Sequence, residues 1–241
     1  MWLAEQLEAG QHLCDCSRGR KQVGEWFRTD AKGDPDKVVL GGWESRTSPD
    51  PRACHWFQYI LTREEYPWLF KETKKGWASS PTISSGELLG TMFATHLFVP
   101  KSLASKAVCR FTALTDNQGN TYIPHSHLTT KWPLAAVWMQ FSLHLASKDL
   151  ELQLEWLPRE LSIPADDITN SDFSKFNPDL RIQTPLPQLV ESMDLKVLHT
   201  LLSAWGELET LIKKRKEEQP QLQPGTPTKT TRRRRVKEKW G

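Results

Sequence analysis

Three short alternating segments near the start of the chain constrain the fold most. Residues 26–30 (WFRTD), 38–44 (VVLGGWE) and 55–62 (HWFQYILT) each have the composition of a strand. Turn clusters separate them at 31–37 (AKGDPDK) and 46–52 (RTSPDPR). Consecutive strands joined by connections this short pair antiparallel. The sequence therefore predicts a sheet that opens with a hairpin and a third antiparallel strand.

The spacing of apolar residues then alternates between helical and extended periods. Residues 84–98 (SSGELLGTMFATHLF) carry one apolar stripe, and Ser84 and Glu87 fit an S-x-x-E capping box. A strand is predicted at 109–115 and a second helix around 134–145. The last alternating segment, LELQLEWL at 150–157, places these residues on one predicted buried side: Leu150, Leu152, Leu154 and Trp156. A final amphipathic helix is predicted over 195–216.

Bulk composition favours one main domain inside a cell. A chain of 241 residues with 38% hydrophobic content can bury one substantial core. No apolar run approaches the roughly 18 residues that span a bilayer, and no basic-then-apolar leader follows Met1. The four cysteines are scattered, so reduced thiols are expected. We expect an intracellular protein, nuclear or cytoplasmic, without a membrane partner.

Charge is distributed unevenly along the chain. Residues 213–241 contain eleven Lys or Arg and three Glu, a net +8, whereas the remaining 212 residues carry −5. The Pro/Gln/Thr-rich composition of 219–241 predicts disorder. Its RRRR run suits nuclear import or contact with phosphates, and a solvated end without a partner remains open.

Four acidic residues stand at the ends of different predicted elements. Asp30 ends the first strand, Glu87 lies in the first turn of the first helix, Asp116 ends the fourth strand in LTDNQGNTY, and Asp166 follows the fifth. If the first and fourth strands are neighbours, these carboxylates meet at one edge. Neighbouring carboxylates raise one another's pKa unless a cation joins them, and Mg²⁺ takes such oxygen ligands. Each acid alone also suits a helix cap or a turn.

This arrangement resembles the type 1 ribonuclease H domains, particularly those attached to the reverse transcriptases of retroelement polyproteins, over about residues 22–175. Asp166 fits the family spacing better than Asp167, because Ala165 directly precedes it. The matching pieces are TDA at 29–31 followed by LGGW at 40–43, ISSGELLGTMFA around Glu87, TDN at 115–117, and EWLPRELSIPADDITN at 155–170.

The resemblance implies an α/β fold of ribonuclease H type, with a five-stranded mixed sheet and helices on both faces. This chain would add a C-terminal helix and a disordered basic tail. The implied division is an N-terminal extension (1–21), the ribonuclease H-like domain (22–175), a connection with an amphipathic helix (176–218) and the tail (219–241).

The resemblance also implies a chemistry. Asp30 would bridge two Mg²⁺ (or Mn²⁺) ions, with Glu87, Asp116 and Asp166 completing their shells. The reaction would be hydrolysis of the RNA strand of an RNA/DNA hybrid by a two-metal mechanism. Candidate contacts to the nucleic acid are Asn117, Gln118, Asn120, Arg232, Arg233, Arg234 and Arg235.

Several alternatives stay open at this point. Many cellular family members carry a histidine in the loop before the last acid, but residues 157–165 contain none, and Ser162 stands where retroelement relatives often have Asn. Only about 20 residues precede the first motif, so the chain could be a fragment, a separate gene product or a relic, with a reverse transcriptase in cis or in trans as partner. The alternative function is a catalytically inactive module that binds nucleic acid or a partner through its basic tail.

Overall fold

A computed structural model describes residues 20–100, 108–127, 129, 131–196, 198, 200, 204, 211, 214 and 215. The chain divides into two compact units, Met1–Ala204 and Trp205–Gly241. In the second unit Leu211, Lys214 and Arg215 are helical. Most of the predicted N-terminal extension and the whole predicted tail, with Arg232, Arg233, Arg234 and Arg235, lie outside the described residues.

The first unit is built from short strands and helices. Its strands are β1 (Arg20–Gly33), β2 (Lys37–Trp43), β3 (Trp56–Thr62), β4 (Lys71–Thr73), β5 (Gly76–Ala78), β6 (Val108–Thr115) and β7 (Leu150–Trp156). Its helices are α1 (Ile83–Phe98), α2 (Gln118–Ser126), α3 (Leu134–Ser147), α4 (Ile163–Thr169) and α5 (Leu186–Ser192). None of the helices formed by the described residues is long and apolar enough to cross a membrane.

Five strands form one mixed sheet in the order β3-β2-β1-β6-β7. The pairs β1–β2 and β2–β3 are antiparallel, whereas β1–β6 and β6–β7 are parallel. The predicted α/β fold with a five-stranded mixed sheet is confirmed. The first three strands follow the predicted antiparallel order, and the first and fourth strands of this sheet, β1 and β6, are neighbours as the site hypothesis required.

Helices cover both faces of the sheet, also as predicted. Alternate residues of β2 face opposite sides, so that Leu40 joins the main core and Trp43 joins a second, smaller cluster. Helix α1 supplies the main core with Leu88 and Phe93. Helix α4 supplies the second cluster with Ile168. The sheet is therefore packed on each side by a helix that carries one of the candidate acids.

Three local predictions are wrong. Ser84 does not cap α1, because the helix begins at Ile83 after Thr82, and Glu87 lies in its second turn. Trp156 is 51% exposed and does not share the buried side of β7, whose apolar contacts come from the three leucines. Asp116 is not a helix cap, since Asn117 takes that position at the start of α2.

The structure also contains elements that the sequence pattern did not indicate. The hairpin β4–β5 forms a separate two-stranded sheet, and α4 and α5 are short helices within the segment after β7. In the predicted helix over 195–216, the described residues are helical, and Leu195 and Leu198 are buried in the main core.

Candidate active site

The parallel pairing of β1 with β6 brings Asp30 beside Asp116. Arg28 is paired with Leu114, so the residues two positions further on stand level with each other. Strand β6 ends at Thr115, whereas β1 continues, paired only with β2. The Asp30 carboxyl is buried (8% exposed) and lies where β1 extends beyond the end of β6.

Helix α1 brings Glu87 to the same edge, and Gly86 lets the helix lie close to the sheet, because a Cβ at this position would stand 3.1 Å from Val38 Cγ1. At Gly90 a Cβ would make only an ordinary contact, 3.9 Å from the carbonyl oxygen of Asp30. The Thr91 and Thr29 hydroxyls, 3.2 Å apart, join the helix to β1. Glu87 Oε2 is shielded from water and has no hydrogen-bond partner among the described residues.

Helix α4 reaches the site from the opposite face of the sheet. Gly41, directly across from Asp30 in the β1–β2 pairing, lets it approach, since a Cβ there would lie 2.8 Å from Ile168 Cγ2 and 3.0 Å from Thr169 Cγ2. The Thr169 hydroxyl donates a 2.7 Å hydrogen bond to Asp30 Oδ2. The glycine of the LGGW motif therefore has a steric role in bringing α4 to the acids.

Asp166, rather than Asp167, belongs to the acidic group. Asp167 forms an ion pair with Lys175 at 2.6 Å. Asp166 accepts a hydrogen bond from Asn170 Nδ2 at 3.0 Å, and its charge acts on Asp30 and Asp116. Its side chain is 35% exposed, so it forms the solvent side of the group.

Arg159 is a functional candidate that the sequence analysis missed. It follows β7 in the loop without a histidine, and its guanidinium donates a 3.2 Å hydrogen bond to Asp166 Oδ1. That hydrogen bond and the charges of Asp166, Asp116 and Asp30 raise its pKa. Nothing local in PRE at 158–160 indicates this role, because it depends on α4 folding back over the loop.

The carboxylates influence one another electrostatically. Burial, then the charges of Asp116 and Asp30, raise the pKa of Glu87 to about 8, although the Asn117 amide and the Arg159 guanidinium act in the opposite direction. Burial raises the pKa of Asp30, with smaller contributions from Asp116 and Asp166, and the Thr169 hydrogen bond opposes them. Burial also raises the pKa of Asp116, against the effect of Arg159. All four predicted acids therefore lie in one electrostatically coupled region.

The four carboxylates suit a hard divalent cation, but they are not already arranged as a complete coordination site. Carboxylate oxygens, one of them buried and unpartnered, are the ligand type that Mg²⁺ and Mn²⁺ take. Within the described ranges, no three His, Cys, Asp or Glu side chains form a ready-made metal-binding group. The residues thus fit the ion by chemistry and charge, with Asp30, Glu87, Asp116 and Asp166 as the groups that would hold it.

The three amide residues that were predicted to contact nucleic acid lie in different surroundings. Asn120 is buried (1% exposed), and its amide donates to the Ser84 carbonyl at 2.9 Å. Asn117 Nδ2 donates to Ser84 Oγ at 3.1 Å, so both amides join α2 to α1. Gln118 is exposed at the start of α2. Trp156 lies nearby and donates its indole N–H to the Asp116 carbonyl at 3.1 Å, which the sequence analysis did not indicate.

Comparisons with known proteins yield similarity only to solved structures. No family model matches the chain. No curated protein matches it. RNase H1 from the halophilic archaeon Halobacterium salinarum is 14% identical with a TM-score of 0.41, over 65% of this chain and 98% of that one. The N-terminal RNase H domain of a Mycobacterium tuberculosis protein, solved as a fusion with maltose-binding protein, is 17% identical with a TM-score of 0.35, over 62% and 94%.

Proposed function

We propose that this chain is a metal-dependent endonuclease that hydrolyses the RNA strand of RNA/DNA hybrids. The observation that carries the proposal is the convergence of four carboxylates from β1, α1, the end of β6 and α4, with Glu87 Oε2 buried and unpartnered. A fold gains no stability from burying uncompensated carboxylates, so such a group indicates a site built for a positively charged ligand.

Each acid has a distinct environment that defines its part in such a site. Thr169 fixes the orientation of Asp30 by donating a hydrogen bond to its Oδ2. Glu87 is held at the water-excluded side, and Asp166 at the solvent side beside Arg159. Two bound Mg²⁺ or Mn²⁺ ions would supply activation of the attacking water and stabilisation of the leaving 3′ oxygen. The guanidinium of Arg159 is positioned to offset charge at the rim of the site.

The motifs that resemble retroelement ribonuclease H domains also suggest an origin and a partner. We propose a retroelement-derived domain whose reverse transcriptase acts in cis or in trans. The Arg232–Arg235 run of the tail would contact nucleic acid or direct nuclear import, and the site of action would be the nucleus or cytoplasm.

A second candidate function rests on a specific observation. Because no three ligating side chains of the described residues form a ready-made metal group, the chain would also suit a module that binds nucleic acid without cleaving it. In that case the Arg159–Asp166 pair would be a purely structural ion pair.

A hydrolysis assay separates the two functions. The purified full chain is incubated with an RNA/DNA hybrid labelled on the RNA strand, with Mg²⁺, with Mn²⁺ and with EDTA. The nuclease proposal expects metal-dependent RNA cleavage that Asp30→Asn abolishes and Asp167→Asn retains, because Asp167 is paired with Lys175 outside the acidic group. Binding without cleavage under every metal condition supports the second candidate.

A further inference from the structure

An open cavity lies on the α4 face of the sheet. Its volume is about 560 Å³, and Pro164 of α4 is in its wall. The polar side chains that line it, together named the arginine cavity here, are Glu25, Arg28, Trp43, Ser45, Arg46, Thr47 and Ser48. Glu25 and Arg28 come from β1, the strand that also carries Asp30, and the others come from the end of β2 and the segment that follows it.

The arginine cavity is rich in hydrogen-bond donors. The guanidinium group of Arg46 and the hydroxyls of Thr47 and Ser48 line this space. Arg28 and Ser45 also line it, and both donate hydrogen bonds to Glu25. This donor set suits a ligand that presents several acceptor oxygens.

The charged residues of the cavity wall also favour an anionic ligand. Glu25 is the acidic residue in the cavity wall, and it is already engaged by Arg28 at 2.7 Å and by the Ser45 hydroxyl. Arg46 has no carboxylate partner among the residues that the structure describes. Its guanidinium carbon lies 3.8 Å from the centre of the Trp26 ring. Stacking orients a guanidinium while its N–H groups remain available for bidentate contact with a phosphate.

One residue of the cavity wall, Arg28, lies on the same strand as Asp30. Arg28 and Asp30 are two residues apart on β1 and face the same side, a separation of about 7 Å along the strand. Arg28 also donates a 3.2 Å hydrogen bond to the Leu161 carbonyl, in the loop that carries Arg159 to Asp166. A nucleic-acid strand that passes the acids would extend along this face with its next phosphates near the arginines.

We propose that the arginine cavity is a phosphate-binding subsite for the backbone of the nucleic-acid substrate, with Arg46 as its principal contact. This inference rests on the proposed function, since it assigns where the same substrate is held next to the cleavage site. A cationic pocket compensates for the repulsion between the substrate and the acidic group, in a body whose net charge outside residues 213–241 is −5.

Hybrid binding in EDTA, measured by fluorescence anisotropy over a salt series, tests this subsite without requiring catalysis. The full-length variants are Arg46→Ala, Arg46→Lys and Arg63→Ala. Arg63 is the matched control, because it is an exposed arginine that lies over Trp77 at 5.4 Å and is outside the cavity wall. We expect Arg46→Ala to weaken binding roughly fivefold or more and to reduce the salt slope by about one. Arg46→Lys should keep the slope, and Arg63→Ala should match the unaltered protein.

Equal effects of Arg46→Ala and Arg63→Ala, no effect of Arg46→Ala, or no binding by the unaltered protein would overturn the subsite. Inorganic phosphate is the second probe. If it raises the Tm in an Arg46-dependent way while hybrid binding is independent of Arg46, the cavity holds a free anion and the inference is wrong. A protein that shows the expected Arg46 pattern but never cleaves the hybrid retains the subsite and loses the proposed nuclease function.

Discussion

The hydroxyl of Thr169 donates a 2.7 Å hydrogen bond to Oδ2 of Asp30, although 139 residues separate them. This bond joins the last residue of α4 to β1 and fixes the orientation of the most buried candidate acid. Hydrogen bonds to such supporting residues typically determine the geometry of a metal ligand. The positions of Asp30 and of α4 therefore depend on each other.

Loss of this hydrogen bond should impair the site without unfolding the domain. We expect Thr169→Val to lower the rate of hybrid cleavage by about 10- to 100-fold, because Asp30 loses its orientation and the interaction that lowers its pKa. Thr169→Ser keeps the hydroxyl and should keep most of the activity. Steady-state cleavage assays at saturating Mg²⁺ measure both variants, and equal activity of Thr169→Val and the unaltered protein would contradict this role.

The approach of α4 to the sheet depends on Gly41. Because a Cβ at this position would lie 2.8 Å from Ile168 Cγ2, we expect Gly41→Ala to lower the free energy of unfolding by about 1–3 kcal/mol. Cleavage should fall as well, since Thr169 and Asp166 move with the helix. Gly24→Ala, where a Cβ meets nothing within 4 Å, is the control and should change neither quantity substantially. Urea denaturation and the cleavage assay measure the two effects.

Glu87 should make stability depend on pH in the absence of metal. Its pKa is raised from 4.5 to about 8 in the folded protein, so folding favours the protonated form. The stability that this group contributes is complete below pH 4.5 and is lost as the pH rises through 8. Glu87→Gln should remove that decline and stabilise the metal-free protein at pH 8 by roughly 1–3 kcal/mol.

Urea denaturation in EDTA from pH 5 to pH 9 measures this dependence. Glu191→Gln, at an exposed residue of α5, is the control. A Glu87→Gln variant whose stability falls with pH as steeply as that of the control would show that Glu87 is not the titrating group.

Arg159 should determine the pH below which the site loses activity. Its charge lowers the pKa of both Glu87 and Asp116, which must be deprotonated to bind a cation. Without it, the acidic limb of the pH–rate profile should move to higher pH, with a roughly tenfold loss of rate at pH 7. Arg159→Ala is compared with Arg159→Lys, which keeps the charge and should move the limb less. A profile that falls in height without shifting would contradict this role.

The sequence indicated the position of the acids because strand patterns are local. The alternation in 26–30 and 109–115 predicted β1 and β6, and their parallel pairing then placed Asp30 beside Asp116. Glu87 followed from the apolar stripe of α1, although the capping box that appeared to explain it is absent. The strand and helix patterns depend on contacts within a strand or within a helix turn, so a single sequence is sufficient to predict them, whereas the pairing of β1 with β6 is long-range and entered the sequence analysis only as a condition.

The contacts that shape the site are long-range, and the sequence did not reveal them. Thr169 meets Asp30 only after α4 has packed on β2 through Gly41, and the charge of Arg159 acts on Asp116 from a distant part of the chain. Asn120 suited a turn or a nucleic-acid contact, but its amide is used to join α2 to α1. Trp156 continued the alternation of β7 and is nevertheless exposed, since its indole N–H bonds the Asp116 carbonyl at the sheet edge.

A calorimetric titration with Mn²⁺ tests most directly whether the four acids form one cation site. The unaltered chain, Asp116→Asn and Asp167→Asn are compared at pH 8, without nucleic acid. We expect the unaltered protein and Asp167→Asn to bind Mn²⁺ alike, and Asp116→Asn to lose at least about tenfold in affinity. Identical Mn²⁺ binding by all three proteins, or no binding by any, would contradict the account.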